Sequence, residues 1–362
     1  MTPVRARSLN DILGQERAVA TLRASIASGR VHHAWVFAGP AGVGKRTTAE
    51  AFAAAILDPT TRPNLGGEWE PDPESVVQRL IAQGKHPDLH VITKELARFD
   101  DDRKVRERKL LSIPKEVIGD HLLEPIVMAA SMRGDSLASK VFIIDEAELL
   151  DRSRTNATTQ NSMLKTLEEP PTGSVIILVT SAEERLLPTI RSRCQRVVFD
   201  SLPREAMEKW LDRSGLKVRA EERGWLLEFA QGSPGRATLA VDGGMFEWAR
   251  TLEPMLEESE RGRFSASLGS TMAGLVEAWA KKWVEDHKNA SKEAANLAGT
   301  RHLLGLLAER ERRRLREAAG ERDRLERSLR VLDLIEKTEL YVASSVTIAN
   351  SMEALAAGMA ER

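Results

Sequence analysis

Apolar residues recur at helical spacing early in the chain, at Ala18, Leu22 and Ile26, and then give way to an unbroken apolar run, AWVFAG, that ends in glycine. The first pattern predicts an amphipathic helix and the second a short buried strand. After the glycine-rich turn, TTAEAFAAAIL is alanine-rich and strongly helix-forming. Further strands are predicted at Asp88–Thr93 (DLHVIT), Lys140–Glu148 (KVFIIDEAE), Ser174–Ser181 (SVIILVTS) and Arg196–Asp200 (RVVFD). The two central runs are continuously apolar, as expected of strands covered on both faces in a parallel sheet. Between Asp58 and Asp88 the chain is rich in proline, glycine and acids and reads as a surface insertion. KELARFDDDRKVRERK reads as a charged, solvated loop.

Beyond Leu202 and Pro203 the strand signals stop. A small helical module, containing GSPGRA, is predicted to about Gly244, and everything from Phe246 onward reads as helix. Within it, Glu309/Arg313, Asp323/Arg327 and Glu326/Arg330 stand four apart, the spacing of ion pairs along an exposed helix. The fold class is therefore α/β, a parallel sheet over 1–201, with a helical lid over 202–245 and an all-α domain over 246–362. There is no internal repeat.

Composition narrows this little. The 362 residues are 42% hydrophobic and 30% charged, with 53 basic against 54 acidic residues and a net charge of -1, which suits a globular protein of about two or three domains. Charge neither demands nor excludes nucleic acid. No apolar run approaches the roughly 20 residues of a membrane span, and the first residues carry no secretory h-region, so a cytoplasmic protein is expected. The single cysteine, Cys194, excludes an internal disulfide, and none of the seven histidines has the spacing of a zinc site. His32 and His33 read as packing at a strand entrance.

The candidate chemistry begins at Gly39. Gly39, Pro40, Ala41, Gly42, Val43, Gly44 and Lys45 follow the phosphate-loop pattern G-x-x-x-x-G-K-[ST], set between a predicted strand and a predicted helix. Such a loop turns backbone N–H groups and a helix N-terminus toward phosphate, and its lysine reaches the β- and γ-phosphates. The hydroxyl residue that should ligate Mg²⁺ is replaced by Arg46. Thr47 follows, but one step along a helix turns the side chain by about 100°. Asp145 ends an apolar strand where it can hold Mg²⁺ through water, and Glu146 beside it can polarise an attacking water. Arg193, in TIRSRCQR, is of the type that reaches into a neighbouring active site to stabilise phosphoryl charge.

These stretches, with LKTLEEPP, HPDLHVI and GSPGRA, resemble bacterial clamp-loader subunits of the AAA+ class, the delta-prime type of the DNA polymerase III holoenzyme above all. The likeness runs from about residue 9 to 240 and continues weakly into the C-terminal helices. It implies that Ile12, Leu13 and Gln15 lie near adenine, that Gly39 to Thr47 with Asp145 form the ATP site, and that Glu146 is the catalytic acid of that site. Thr180 takes the position that senses the γ-phosphate, and Arg236 is the lid arginine. Arg193 is then a finger presented in trans. It also implies a C-terminal collar in a five-subunit assembly that places a sliding clamp on primer-template DNA. Many relatives carry a four-cysteine zinc module after the loop helix; residues 58 to 90 have no cysteine here, so no zinc is expected. ATP and Mg²⁺ are the implied cofactors, the metal weakened by Arg46. Three functions stay open: a delta-prime-like subunit with weak or absent ATPase of its own, a gamma/tau-like ATP-hydrolysing motor, and an unrelated stand-alone P-loop NTPase.

Overall fold

The computed structural model describes residues 6–64, 66–106, 112–132, 134–150, 157–263, 265–286, 291–318, 321–343 and 347–360. They fall into two compact units, 1–214 with 231–235, and 215–230 with 236–362.

The first unit is built on five parallel strands, β1 (Ala34–Ala38), β2 (Leu89–Ile92), β3 (Lys140–Ile144), β4 (Ser174–Thr180) and β5 (Gln195–Val198), in the order β2-β3-β4-β1-β5. β1, β3 and β4 are buried at every position, which explains their unbroken apolar sequence: both faces are covered, so no polar alternation survives. Val36, Phe142, Ile144, Ile176 and Leu178 join Val117, Ile118, Leu122 and Ile126 in one core. Helix α1 (Glu16–Ala27) buries Ala18, Val19, Leu22 and Ile26, the face its spacing predicts. Helix α2 (Lys45–Leu57) is buried at Ala49, Ala51, Phe52, Ala53, Ala54 and Ala55. Its alanines let backbone approach backbone on more than one side.

The two segments read as surface differ from that reading. In the charge run, Lys94–Phe99 forms a 3-10 turn and Arg103–Arg106 a helical turn. Ala97 and Val105 are fully buried in the core, with Leu96 packed against it. Three apolar residues among many charges suffice to anchor the segment; residues 107–109 of the run lie outside the described part. The other segment is pinned by Asp58, only 2% exposed. One carboxylate oxygen accepts from the N–H (2.9 Å) and hydroxyl (2.7 Å) of Thr60. The other accepts from Ser75 Oγ and from Gln78 Nε2 (3.0 Å). Ser75 in turn caps the helix Val76–Ala82. This carboxylate gathers a stretch that has no cysteines to bind a metal. Removing it strands buried donors, so Asp58→Ala is expected to cost about 3 kcal/mol, the range for hydrogen bonds to a charged group, read as a lowered denaturant midpoint at unchanged m-value.

A helix α3 (Arg204–Ser214) follows in this unit. The second unit is helical: α4 (Ala220–Ala230), α5 (Pro234–Asp242), α6 (Met245–Glu260), α7 (Leu268–Asp286), α8 (Lys292–Glu317), α9 (Arg322–Ala343) and α10 (Ile348–Ala360). α7 packs on α8 and α10, and α9 packs on the same two, giving a four-helix arrangement. Part of the charge predicted for an exposed face is turned inward. Glu309, Arg310 and Glu311 are buried in α8. Arg310 meets Glu253 (2.8 Å), Glu260 (2.7 Å) and Glu311 (2.9 Å). Arg313 turns to Glu228 (3.7 Å) and Glu317 (3.9 Å). Arg327 donates to the carbonyls of Ser259 (2.8 Å), Glu260 (2.9 Å) and Met359 (2.9 Å), capping the ends of α6 and α10. Glu309, Arg310, Glu311 and Arg327 thus hold helices together, while Arg322 and Glu326, and Asp333 and Lys337, pair four apart on the exposed face. Among the described residues no helix is long and apolar enough to cross a membrane.

Candidate functional site

The phosphate loop runs from the end of β1 into α2, and four neighbours, Phe199, Ser233, Gly235 and Gln15, fix it. At Gly39 a Cβ would stand 2.2 Å from the carbonyl oxygen of Phe199, so no other residue fits there. Gly42 is left-handed (φ +74°), and a Cβ on it would meet Ser233 Oγ at 2.5 Å and Gly235 Cα at 3.0 Å. Ser233 Oγ donates to the carbonyl of Ala41 (2.9 Å), and Gly235 N–H to that of Gly42 (2.9 Å). The buried Gln15 amide donates to the carbonyls of Val43 (3.2 Å) and Asp200 (2.7 Å) and accepts from Asp200 N–H (3.2 Å). Val43 is buried while Pro40 and Ala41 are exposed. Gly44, left-handed at φ +97°, leads into α2. The loop is therefore set in shape before any ligand arrives.

Ser233 and Gly235 belong to the GSPGRA stretch, where sequence reasoning singled out only Arg236. Their signal was present in the small residues themselves, since close backbone approach demands them. Gln15 is engaged through every polar atom of its amide with loop and strand backbone. Ile12 and Leu13, just after the 3-10 turn Leu9–Asp11, are half-buried.

At the start of α2, the Lys45 ammonium is buried and donates to the carbonyls of Gly39 (2.8 Å) and Pro40 (2.6 Å) and to Ser181 Oγ (3.1 Å). Burial lowers its pKa, against the opposing charges of Glu148 and Asp145. Arg46 lies along the surface: Nε donates to Glu50 (3.0 Å) and Nη1 to Asp145 Oδ2 (3.2 Å). Partial burial works against its charge, but the hydrogen bond and charge of Glu50, then those of Asp145, raise its pKa. Thr47 takes a long contact from Arg7 Nη1 (3.5 Å). Thr48 turns its hydroxyl to the Gly44 carbonyl (2.9 Å).

The acids follow β3. Asp145 N–H donates to the carbonyl of Ile92 (3.0 Å), so the neighbouring strand sets its place. Glu146 sits in the left-handed region (φ 51°, ψ 46°), a conformation that costs a side-chain-bearing residue about 1–2 kcal/mol. Its carboxylate accepts from Lys94 Nζ (2.6 Å). Glu148 accepts from Ser181 N–H (3.3 Å). Lys94 and Ser181 are residues that sequence reasoning passed over. Each stands one or two positions beyond a strand's C-terminal end, where the sheet presents its site. Thr180, the last residue of β4, accepts from Ala182 N–H (3.1 Å) and is buried. The structure thus gathers Lys45, Arg46, Asp145, Glu146 and Thr180 at one end of the sheet.

Arg193 stands elsewhere. It follows the short helix Pro188–Arg191 and precedes β5, and β5 runs parallel to β1 with Gln195 beside Trp35 and Val198 beside Ala38. The phosphate loop leaves the opposite end of that pair, beyond three residue steps of strand, roughly 10 Å away. Arg193 is half-exposed; it donates to the Thr189 carbonyl (2.7 Å) and pairs with Glu168. Burial pushes the neighbouring Cys194 thiol up to about 12, so it stays protonated. Arg236, in the second unit, pairs with Glu309 (3.1 Å) and lies 5.0 Å over the Phe229 ring.

Among the described residues no cluster of His, Cys, Asp or Glu could hold a metal ion. The loop amides and Lys45 fit a phosphate. The residues around Arg46 do not fit Mg²⁺, because no hydroxyl stands at position 46 and a guanidinium takes the Asp145 oxygen.

Residues 14–203 match the family described as DNA polymerase III, delta subunit. The chain is 33% identical over 202 residues to DNA polymerase III subunit delta' of Pseudomonas aeruginosa, an alignment covering 56% of this chain and 53% of that one. It is 29% identical over 242 residues to DNA polymerase III subunit tau of Bacillus subtilis, covering 67% and 36%. The alignments span about half of the first relative and about a third of the second. A gamma subunit-related protein of Thermotoga maritima superposes at a TM-score of 0.46 with 17% identity, covering 96% of this chain and 99% of that one.

Proposed function

The chain belongs to the DNA polymerase III delta-subunit family of AAA+ clamp-loader components, and on that footing we propose that it acts as a delta-prime-like subunit, completing a neighbour's ATP site while its own turns over little. The observation that carries this reading is the place of Arg193. It stands at the end of the sheet away from the chain's own phosphate loop, half-exposed, and is held by one exposed carboxylate that a stronger anion can replace. A finger of that kind serves a phosphoryl group bound to another subunit. In the chain's own site, Arg46 stands where a metal-binding hydroxyl is needed, and Glu146, the acid beside Asp145, is paired to Lys94.

The helices over 246–362 then serve as the collar that joins other loader subunits. The assembly opens a sliding clamp and leaves it on primer-template DNA. Contacts to that DNA are to phosphate and fall with salt. The domain limits that go with this reading are 1–201, 202–245 and 246–362.

A gamma/tau-like motor is the second reading, favoured by the retention of Lys45, Asp145 and Glu146 around an ordered loop. The two part on Lys45→Ala. In a loader reconstituted with clamp and primed DNA, that substitution is expected to leave steady-state ATP turnover within about twofold. Loss of a full subunit's share of turnover would establish the motor instead.

A further inference from the structure

The acids that would receive a divalent metal are already matched by cations of the chain. Asp145 receives Nη1 of Arg46 at 3.2 Å, and Glu146 receives Lys94 at 2.6 Å. Arg46 is anchored from behind by Glu50 at 3.0 Å, which holds the guanidinium across the space between α2 and Asp145. Its remaining nitrogen, Nη2, donates to no group among the described residues. A dication entering here would lose the hydroxyl ligand it needs, share Asp145 with a guanidinium, and stand beside a fixed positive charge. The arginine cannot lose its proton to make room.

We infer that the chain's own phosphate site binds a nucleoside diphosphate without a divalent metal, Arg46 serving as the built-in counter-cation. This rests on the reading that the site admits a nucleotide. The loop supplies backbone N–H groups, Lys45 and Nη2 of Arg46, and a guanidinium is suited to phosphate oxygens. Around them stand three cations, Lys45, Arg46 and Lys94, against four carboxylates, Glu50, Asp145, Glu146 and Glu148. That balance bears on the choice of ligand. Where a metal is bound, its two charges shield the terminal phosphate from the acids after β3. Here a third phosphate would approach Asp145, Glu146 and Glu148 with a single guanidinium between them. The diphosphate keeps the loop contacts and avoids that repulsion. Arg46 therefore sets both the metal requirement and the number of phosphates accepted, and the site holds a nucleotide without a means of turning it over.

The test is calorimetric titration of the full chain with ADP and with ATP, each in Mg²⁺ and in EDTA, for the native protein, Arg46→Thr and Lys45→Ala. Native affinity for ADP is expected to change less than twofold between Mg²⁺ and EDTA, and ATP to bind at least tenfold more weakly than ADP in both. Arg46→Thr is expected to gain metal dependence, binding ATP at least tenfold more tightly with Mg²⁺, and Lys45→Ala to bind neither nucleotide. Arg46 is exposed, so its replacement should fold; a thermal melt checks this, and the native titrations decide the matter without it. Native ATP binding that weakens tenfold or more in EDTA overturns the inference while leaving Arg193's role, read in loader turnover, intact. No binding of either nucleotide at millimolar concentration overturns it together with the premise that the site admits nucleotide.

Discussion

Replacing Arg193 by alanine is expected to slow ATP hydrolysis about a thousandfold or more at the single site it faces, the loss typical of a finger supplied in trans. The measurement needs a loader in which only the neighbouring subunit keeps a working ATP site, assembled with clamp and primed DNA, so that intact sites do not mask the effect. The loss should fall on kcat, with KM nearly unchanged, because a finger acts on charge that develops in the transition state. Arg193→Lys should recover only part of the rate: it keeps the charge but not the planar fork. Glu168 gives a second check. It is the resting partner of Arg193, and Glu168→Gln frees the guanidinium without removing it, so turnover should hold or rise. Turnover within twofold of normal in Arg193→Ala would sink the finger reading. The simplest alternative, that Arg193 acts on its own subunit's nucleotide, is opposed by the strand's length that separates it from its own loop.

How much of this was legible beforehand depends on what each pattern reports. β1, β3 and β4 were readable because a strand covered on both faces has no polar alternation, and their predicted ends agree with the structure to within a few residues. The phosphate loop was readable because glycine spacing reports backbone shape directly. The partners of its charged residues were not. That Arg46 would reach Asp145, and Lys94 Glu146, depends on which strands are neighbours, and β2 lies beside β3 only through the sheet order. Lys94 also lay hidden in a charge run whose apolar anchors, Leu96, Ala97 and Val105, are outnumbered by acids and bases. The same limit hid the inward charges of α8. Polar patterning assigns charge to water, yet Arg310 and Glu311 are buried because α6 and α9 bring complementary groups to them, and Glu309 because Arg236 of α5 does. Sequence spacing within one helix cannot show a partner on another.

Breaking that cluster should be costly to the second unit. Arg310 is 8% exposed at its side chain and faces Glu253, Glu260 and Glu311 together. Ser328 adds a hydroxyl to Glu311 at 2.9 Å. Arg310→Met keeps much of the volume but leaves three carboxylates without their central cation, and an uncompensated buried charge costs about 3–5 kcal/mol. Denaturant unfolding followed in the helical region should show a loss of that size. Adding Glu253→Gln to Arg310→Met should restore part of it, since that pair is coupled directly. The pH dependence separates this account from simple loss of packing. Burial would raise the Glu253 carboxyl, but the hydrogen bond and charge of Arg310, with Arg313 and Arg314, hold it below the ordinary 4.5. A depressed folded-state pKa stabilises above the unfolded value, and the contribution is lost as pH falls through the folded one. In the variant the largest of the opposing influences is gone and burial remains, so the carboxyl moves upward and acid relieves strain instead of creating it. The stability gap between native protein and Arg310→Met should therefore narrow steadily from pH 7 to pH 4. A gap that stays constant over that range would mean that lost packing, and not stranded charge, is what the substitution costs.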